Sequence, residues 1–283
     1  MRFSVLTLNL HTWQESEQMD KFDRLARYVA EENFTCLCLQ ECGQRTGSAF
    51  VDDSETLRTD NAAYLLQSKL GAHGLKYSMV WGYSHDSFGA YEEGSAILTQ
   101  LPVLGNCARY VSETADPNNV QARNVVMVRL AVSPNAVIDV YSVHLSPPEA
   151  GLEGQLDELM EFVVETPGIL EQMKPPAPKR RGPPRKRVSP EEPPISTRLI
   201  CLAGDMNDEP GGRVQALSAR GFLEASSRAR EENPDAGTFE DGSWIDYVFI
   251  KPALRAQSAR VVFDGTDAPP VSDHYGVVVE FEV

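Results

Sequence analysis

Three short stretches gather side chains that can do chemistry: Gly204-Asp205-Met206-Asn207-Asp208, Ile245-Asp246-Tyr247 and Ser272-Asp273-His274. Each follows, interrupts or precedes an apolar run. Carboxylates, an amide and an imidazole at strand ends suit a hard cation with oxygen ligands and retained waters, as Mg2+ prefers, rather than zinc. A site of that kind stabilises charge on phosphoryl oxygens and orients a water. Taken alone, Asp205 and Asn207 read as turn formers, since Gly-Asp-x-Asn is favourable turn chemistry. Asp246 lies within an apolar strand and needs a partner if buried; His274 is the candidate.

The elements that must position these groups read as alternating strands and helices. Residues 4–10 form a β-prone run that stops at Asn9 and His11, polar residues that a strand end could present to a site. Met19, Phe22, Leu25, Ala26 and Val29 fall at helical spacing, which predicts an amphipathic helix over 18–32. Residues 34–41 are nearly continuously apolar, as in a strand buried on both faces, and again end on polar groups, Gln40 and Glu41. Strand, helix, strand with polar strand ends is how α/β enzymes mount a site. The pattern further predicts helices at 61–70 and 152–164, and strands at 77–81, 95–99, 125–132, 137–143, 199–203, 244–250 and 277–283. His144 closes one of these strands, and Gly204 and Asp205 another.

The 283 residues carry 41 acidic against 26 basic side chains, a formal charge of −15, with 42% hydrophobic and 24% charged residues. This ordinary globular composition excludes a disordered or collagen-like chain. Residues 174–190 hold seven of the basic side chains among many prolines. Proline at that density cannot enter a helix or a central strand, so 174–194 reads as an extended basic surface insertion. Outside residues 174–190 the chain keeps 19 basic against 41 acidic residues, a charge of −22. Five scattered cysteines are not a disulfide framework, and Cys36 and Cys38 read as core fillers. There is no apolar run of about 18 residues and no signal-peptide pattern, so a cytoplasmic protein without a membrane partner is expected. His11 and His85 fit either a substrate contact or a structural hydrogen bond. Arg123 could grip a phosphate bidentately or cap a solvated face.

Seven stretches between residues 7 and 274 stand in the order of a known family: Thr7-Leu8-Asn9, Gln40-Glu41, Glu93-Gly94-Ser95-Ala96-Ile97-Leu98, Val143-His144-Leu145, Gly204-Asp205-Met206-Asn207, Ile245-Asp246-Tyr247 and Ser272-Asp273-His274. Together they resemble the endonuclease/exonuclease/phosphatase superfamily, which includes DNase I-like nucleases, inositol phosphatases and sphingomyelinases. The resemblance implies a single domain over 1–283 with the α/β DNase I-like fold, a four-layer sandwich of two face-to-face mixed β-sheets flanked by helices. It also implies Mg2+ or Mn2+, with Glu41 as the principal metal carboxylate and Asn9 and Asp273 near the ion. Asp205 and Asn207 would orient or deprotonate the attacking water and hold the phosphoryl group. His274, hydrogen-bonded to Asp246, would stay cationic towards the phosphate. His144, paired with Glu93, would stabilise the phosphoryl oxygens or assist the leaving group.

A narrower resemblance, to the bacterial branch that contains maltose 6'-phosphate phosphatase, rests on Asn9-Leu10-His11-Thr12-Trp13, Trp81-Gly82-Tyr83-Ser84-His85-Asp86, Tyr91-Glu92-Glu93-Gly94 and Val262-Phe263-Asp264-Gly265. It implies substrate contacts from His11, Tyr83, His85, Tyr91 and Glu93, and Arg123 is a further substrate-binding candidate on its own chemistry. The sequence departs from that branch at Ser146-Pro147-Pro148-Glu149 and in the basic insertion. The expected function is phosphomonoester hydrolysis of a small phosphorylated substrate such as a sugar phosphate, by in-line attack of an activated water. The rival is a DNA or RNA phosphodiesterase, which a body at −22 disfavours because nucleic-acid binding draws on Lys and Arg. Oligomeric state is left open.

Overall fold

The computed structural model describes residues 1–148, 154–173, 197–252 and 256–283. The basic insertion expected at 174–194, and the first residues of the helix expected from 152, lie outside the described residues. The elements are, in chain order, β1 (Arg2–Asn9), α1 (Gln18–Glu32), β2 (Cys36–Gln40), β3 (Gln44–Arg45), α2 (Ala62–Ala72), β4 (Ser78–Ser87), β5 (Tyr91–Thr99), β6 (Val103–Tyr110), β7 (Asn124–Ser133), β8 (Ala136–His144), α3 (Gln155–Met173), β9 (Thr197–Asp205), α4 (Gly212–Ala219), β10 (Leu223–Glu224), α5 (Ser227–Glu232), β11 (Asp246–Lys251), β12 (Ser258–Val262) and β13 (Gly276–Glu282).

Two mixed sheets result. The first runs β12-β13-β1-β2-β5-β3 with β4 also on β5; the second runs β10-β11-β9-β8-β7-β6. The pairs β1–β2 and β8–β9 are parallel, and the remaining pairs are antiparallel. Alternation along a strand decides which core each side chain enters. Val5, Cys36, Cys38 and Ile97 point from the first sheet into a core shared with Val126, Val128, Val140, Cys201 and Ala203 of the second. Their neighbours Leu6, Leu8, Leu37, Leu39 and Leu98 face the other way, onto Phe22, Leu25 and Val29 of α1 and Leu66 and Leu70 of α2. Continuous apolar runs are therefore required, because both faces of these strands are covered. Leu159 and Phe162 of α3 pack on the second sheet's side. The order helix, sheet, sheet, helix is the DNase I-like four-layer sandwich.

Helix α1 has the predicted limits and ends at Asn33, whose φ of 56° is the left-handed C-cap geometry. Met19, expected on its buried face, is 44% exposed. Strand β4 runs past the expected 81 to Ser87, forming a long hairpin with β5. Strands β6 and β12 and helices α4 and α5 were not expected from the pattern.

Candidate functional site

Strand pairing brings the polar strand ends together. In the parallel pair β1–β2, Asn9 stands opposite Gln40, so Glu41 emerges at the strand end, with φ of 46°. In the second sheet, His144 is in register with Asp205, and Asp205 with Asp246. Three candidate residues thus lie side by side on β8, β9 and β11. Gly204 permits this close approach: a Cβ there would stand 1.8 Å from the Val143 carbonyl oxygen. Just beneath, Gln40 Nε2 donates to Ser142 Oγ at 3.0 Å, and Ser142 Oγ donates to the Leu39 carbonyl at 3.1 Å. These buried bonds fasten one sheet to the other under the site.

The two sheets meet at one carboxylate pair. Asn9 Nδ2 donates to Glu41 Oε1 at 2.9 Å and to Asp205 Oδ2 at 3.2 Å. The Asn207 backbone N–H donates to Asp205 Oδ1 at 2.7 Å, and the Asn207 side-chain amide donates to the Leu145 carbonyl at 2.9 Å. His144 Nε2 lies 3.6 Å from Asp205 Oδ2 and 3.9 Å from Glu41 Oε1, and His274 Nε2 lies 3.8 Å from Asp205 Oδ2. On its far side, His274 Nδ1 is 3.0 Å from Asp246 Oδ2.

The two histidines are held in opposite states. Burial works against charge on His274, but the Asp246 and Asp205 carboxylates outweigh it and hold the ring up to about 10. His144 is fully buried, and burial together with the cations Arg123 and His274 pushes it well below the usual range, so it is neutral. Arg123 NH1 lies 3.4 Å from His144 Nδ1. A donor there assigns the ring's own proton to Nε2, towards Glu41 and Asp205. Burial, and next the Asp246 charge, raise the Asp205 carboxyl.

A second polar group backs His144. Ser87 Oγ donates to Glu93 Oε2 at 3.0 Å, and His85 Nε2 lies 3.5 Å from Glu93 Oε1. Glu93 was expected beside His144, and a carboxylate oxygen of Glu93 lies within 4.8 Å of a ring nitrogen of His144; its hydrogen bond goes to Ser87 and its ion pair to His85. Arg123, 8% exposed, donates through Nε to Ser146 Oγ at 3.1 Å and approaches His85 Nε2 at 3.5 Å. Burial and then Arg123 lower His85 to about 4, while burial and then Glu41 raise Glu93. At the other rim, His11 Nδ1 lies 2.8 Å from Glu15 Oε1 and 3.3 Å from Asp273 Oδ2, and the Asp273 backbone N–H donates to Glu15 Oε1 at 3.2 Å. Glu15 was missed by the sequence reading; its i,i+4 spacing from His11 was the available signal.

Tyr83 and Tyr91 lie on the β4–β5 hairpin that carries His85 and Glu93. The Tyr83 hydroxyl donates to Asp86 Oδ1 at 2.6 Å, and its ring lines a cavity of about 310 Å³ with Phe50, Trp81 and Pro117. Tyr91 lies near the hairpin tip, opposite Ser87 and Arg45.

The donor set fits a hard divalent cation. Among the described residues, ligating atoms fall into three groups, each within 4.8 Å of one another: His11, Glu15 and Asp273; Glu41, Glu93 and His144; Asp205, Asp246 and His274. Carboxylate oxygens dominate these groups, and the buried Asp246 Oδ1 has no hydrogen-bond partner among the described residues. The side chains of Glu41, at 18% exposure, and Asp273, at 20%, are carboxylates that a cation can reach from solvent, against 2% for Asp205.

Known proteins share this fold. The model of the Endonuclease/Exonuclease/phosphatase family matches residues 17–274. The chain belongs to the endonuclease/exonuclease/phosphatase family. An endonuclease/exonuclease/phosphatase family protein from Leptotrichia buccalis shares the fold at 23% identity with a TM-score of 0.81, over 99% of this chain and 100% of that one. One from Beutenbergia cavernae does so at 19% identity and a TM-score of 0.66, over 100% and 72%. D. rerio TDP2, solved in complex with a single-strand DNA product, matches at 13% identity and a TM-score of 0.61, over 100% and 99%. Comparison with curated proteins gave no match. Endonuclease/exonuclease/phosphatase enzymes are hydrolases of phosphoester bonds that use divalent metals.

Proposed function

We propose that this family member is a divalent-metal-dependent phosphomonoesterase acting on a small phosphorylated metabolite such as a sugar phosphate. The observation that carries the reading is the convergence of Asn9, His144 and His274 on the carboxylate of Asp205, with Asn9 and His144 also reaching Glu41. A charge of −22 outside the basic residues 174–190 favours a small substrate over a long polyanion. The reading treats 1–283 as one domain, supported by the pairing of β1 with β13 from opposite ends of the chain.

Glu41, with Asn9 and Asp273, would hold the Mg2+ or Mn2+ ion, which supplies charge neutralisation at the phosphoryl oxygens. Asp205 takes the proton of the attacking water through Oδ2, while the Asn207 N–H fixes Oδ1. Water oxygen bonds to phosphorus as the bond to the departing alkoxide breaks on the opposite side, with no covalent enzyme intermediate. His274 offers a charged Nε2–H and His144 a neutral Nε2–H to the phosphoryl oxygens, positioned before charge develops there. Asp246 keeps His274 cationic. Arg123, His85 and Glu93 form the wall behind His144 and bound the substrate's side of the site.

A second reading, DNA or RNA phosphodiester hydrolysis, is favoured by the likeness to a structure solved with a DNA product. A phosphate-release screen of sugar phosphates and nucleotides, run beside plasmid nicking with Mg2+, Mn2+ or chelator, separates the two. Monoester hydrolysis well above nicking is the expected result; nicking at a comparable rate favours the second reading. Among the described residues no helix is long and apolar enough to cross a membrane.

A further inference from the structure

The β4–β5 hairpin closes through Phe88, Gly89 and Ala90, in a turn in which the Ala90 N–H donates to the Ser87 carbonyl at 3.1 Å. Its central residues, Phe88 and Gly89, have φ of 53° and 64°. Positive φ at both positions is the turn that favours Asn-Gly, and a bulky residue held there is an outlier. Phe88 is nevertheless 75% exposed, so no packing offsets the strain. The turn is clamped from both sides: the Thr46 N–H donates to the Ala90 carbonyl at 3.0 Å, and the Asp86 N–H donates to the Pro117 carbonyl at 2.7 Å. A strained conformation that its surroundings over-determine is characteristic of a ligand clamp.

Its place in the fold points the same way. Strand β5 pairs with β2 as far as Ala96 opposite Leu39, and beyond that the Cys42 N–H donates to the Gly94 carbonyl at 2.7 Å. From there the hairpin continues past the strand end that delivers Glu41. Ser87, immediately before Phe88, donates its hydroxyl to Glu93, and Glu93 shares a ligand group with Glu41 and His144. Phe88 therefore follows directly in the chain on Ser87, which bonds the wall of the site, and sits on a rigid support.

We propose that Phe88 is a specificity residue whose ring stacks on the flat face of a ring carried by the alcohol part of the substrate. This deepens the phosphomonoesterase reading and rests on it. Sugar rings and nucleobases both offer such a face, and aromatic side chains gain from covering either.

The test compares wild type with Phe88→Asn and Phe88→Tyr on glucose 6-phosphate, AMP and glycerol 3-phosphate, alongside thermal melts. Asparagine suits the turn, so Phe88→Asn should melt about 2 °C higher. The same variant should lose about fivefold or more in kcat/KM on ring-bearing substrates relative to glycerol 3-phosphate, through KM. Loss on AMP alone identifies a nucleobase, and loss on both identifies the sugar ring. Phe88→Tyr should retain the wild-type ratio. A ratio unchanged in Phe88→Asn, a ratio not preserved by tyrosine, or a lower melting temperature would each overturn the proposal. If wild type releases phosphate from none of the three, the phosphomonoesterase reading fails by itself. Binding of a single-stranded oligonucleotide then decides on Phe88: weaker binding by Phe88→Asn supports the stacking role, and equal binding overturns it.

Discussion

His274 and His144 are the same side chain put to opposite uses by their neighbours. Asp246 makes His274 a cation, whereas Arg123 and burial make His144 a neutral donor. Asp246→Asn keeps the shape and removes the charge, so the His274 pKa should fall from about 10. The alkaline limb of kcat/KM should then move about one pH unit or more towards acid; a pH–rate profile with an unmoved limb contradicts the assignment. Stability follows by linkage. Because the folded value of His274 lies above its ordinary 6.5, its protonation stabilises the fold fully below that pH and is lost as pH rises towards 10. Thermal melts of wild type should decline across that window, and melts of Asp246→Asn should decline less. Asn9, Glu41, Asp205 and His144 were legible because motif order marks strand ends. Glu93's partners were not, because the β-bulge between Tyr83 and His85 decides which way that strand turns its side chains. Glu15 belongs to no motif and reaches the site only through the fold.

Among the elements, the β8–β9–β11 ladder positions the most site groups, and Gly204 is its tightest point. Gly204→Ala would drive a methyl into the Val143 carbonyl and spread the strands that carry His144 and Asp205. Urea unfolding should show a loss of about 3 kcal/mol, with activity falling further than stability; a variant as stable and active as wild type would contradict the close approach. Strands β2 and β9 could be read from sequence because burial on two faces leaves an unbroken apolar run. Strand β6 could not: Val103-Leu104-Gly105-Asn106-Cys107-Ala108-Arg109-Tyr110 alternates half-buried with exposed residues at a sheet edge and contains a glycine. Strand β4 looked short because His85 and Ser87 face a polar site where a core strand would carry apolar groups. Helices α4 and α5 bury too few residues to leave a helical stripe.

For the whole molecule, two sheets each supply half of a centre that neither could form alone. Glu41 and Asn9 come from one, and His144, Asp205 and Asp246 from the other. The negative charge of the body sets the expected response to salt. Hydrolysis of a small monoester should change little between about 50 and 200 mM salt, whereas a protein gripping many phosphates of a polyanion loses about a thousandfold in affinity. Steady-state rates across that range check this, and a steep decline would contradict the small-substrate reading. The two-sheet centre itself is tested most directly by titrating Mn2+ into wild type and Glu41→Gln, following bound metal by electron paramagnetic resonance and phosphate release in the same samples. Wild-type turnover should rise with metal occupancy, and Glu41→Gln should need about tenfold more Mn2+ or greater for the same occupancy with its fold retained. Superimposable metal curves for the two proteins would contradict a metal centre at the meeting point of the sheets.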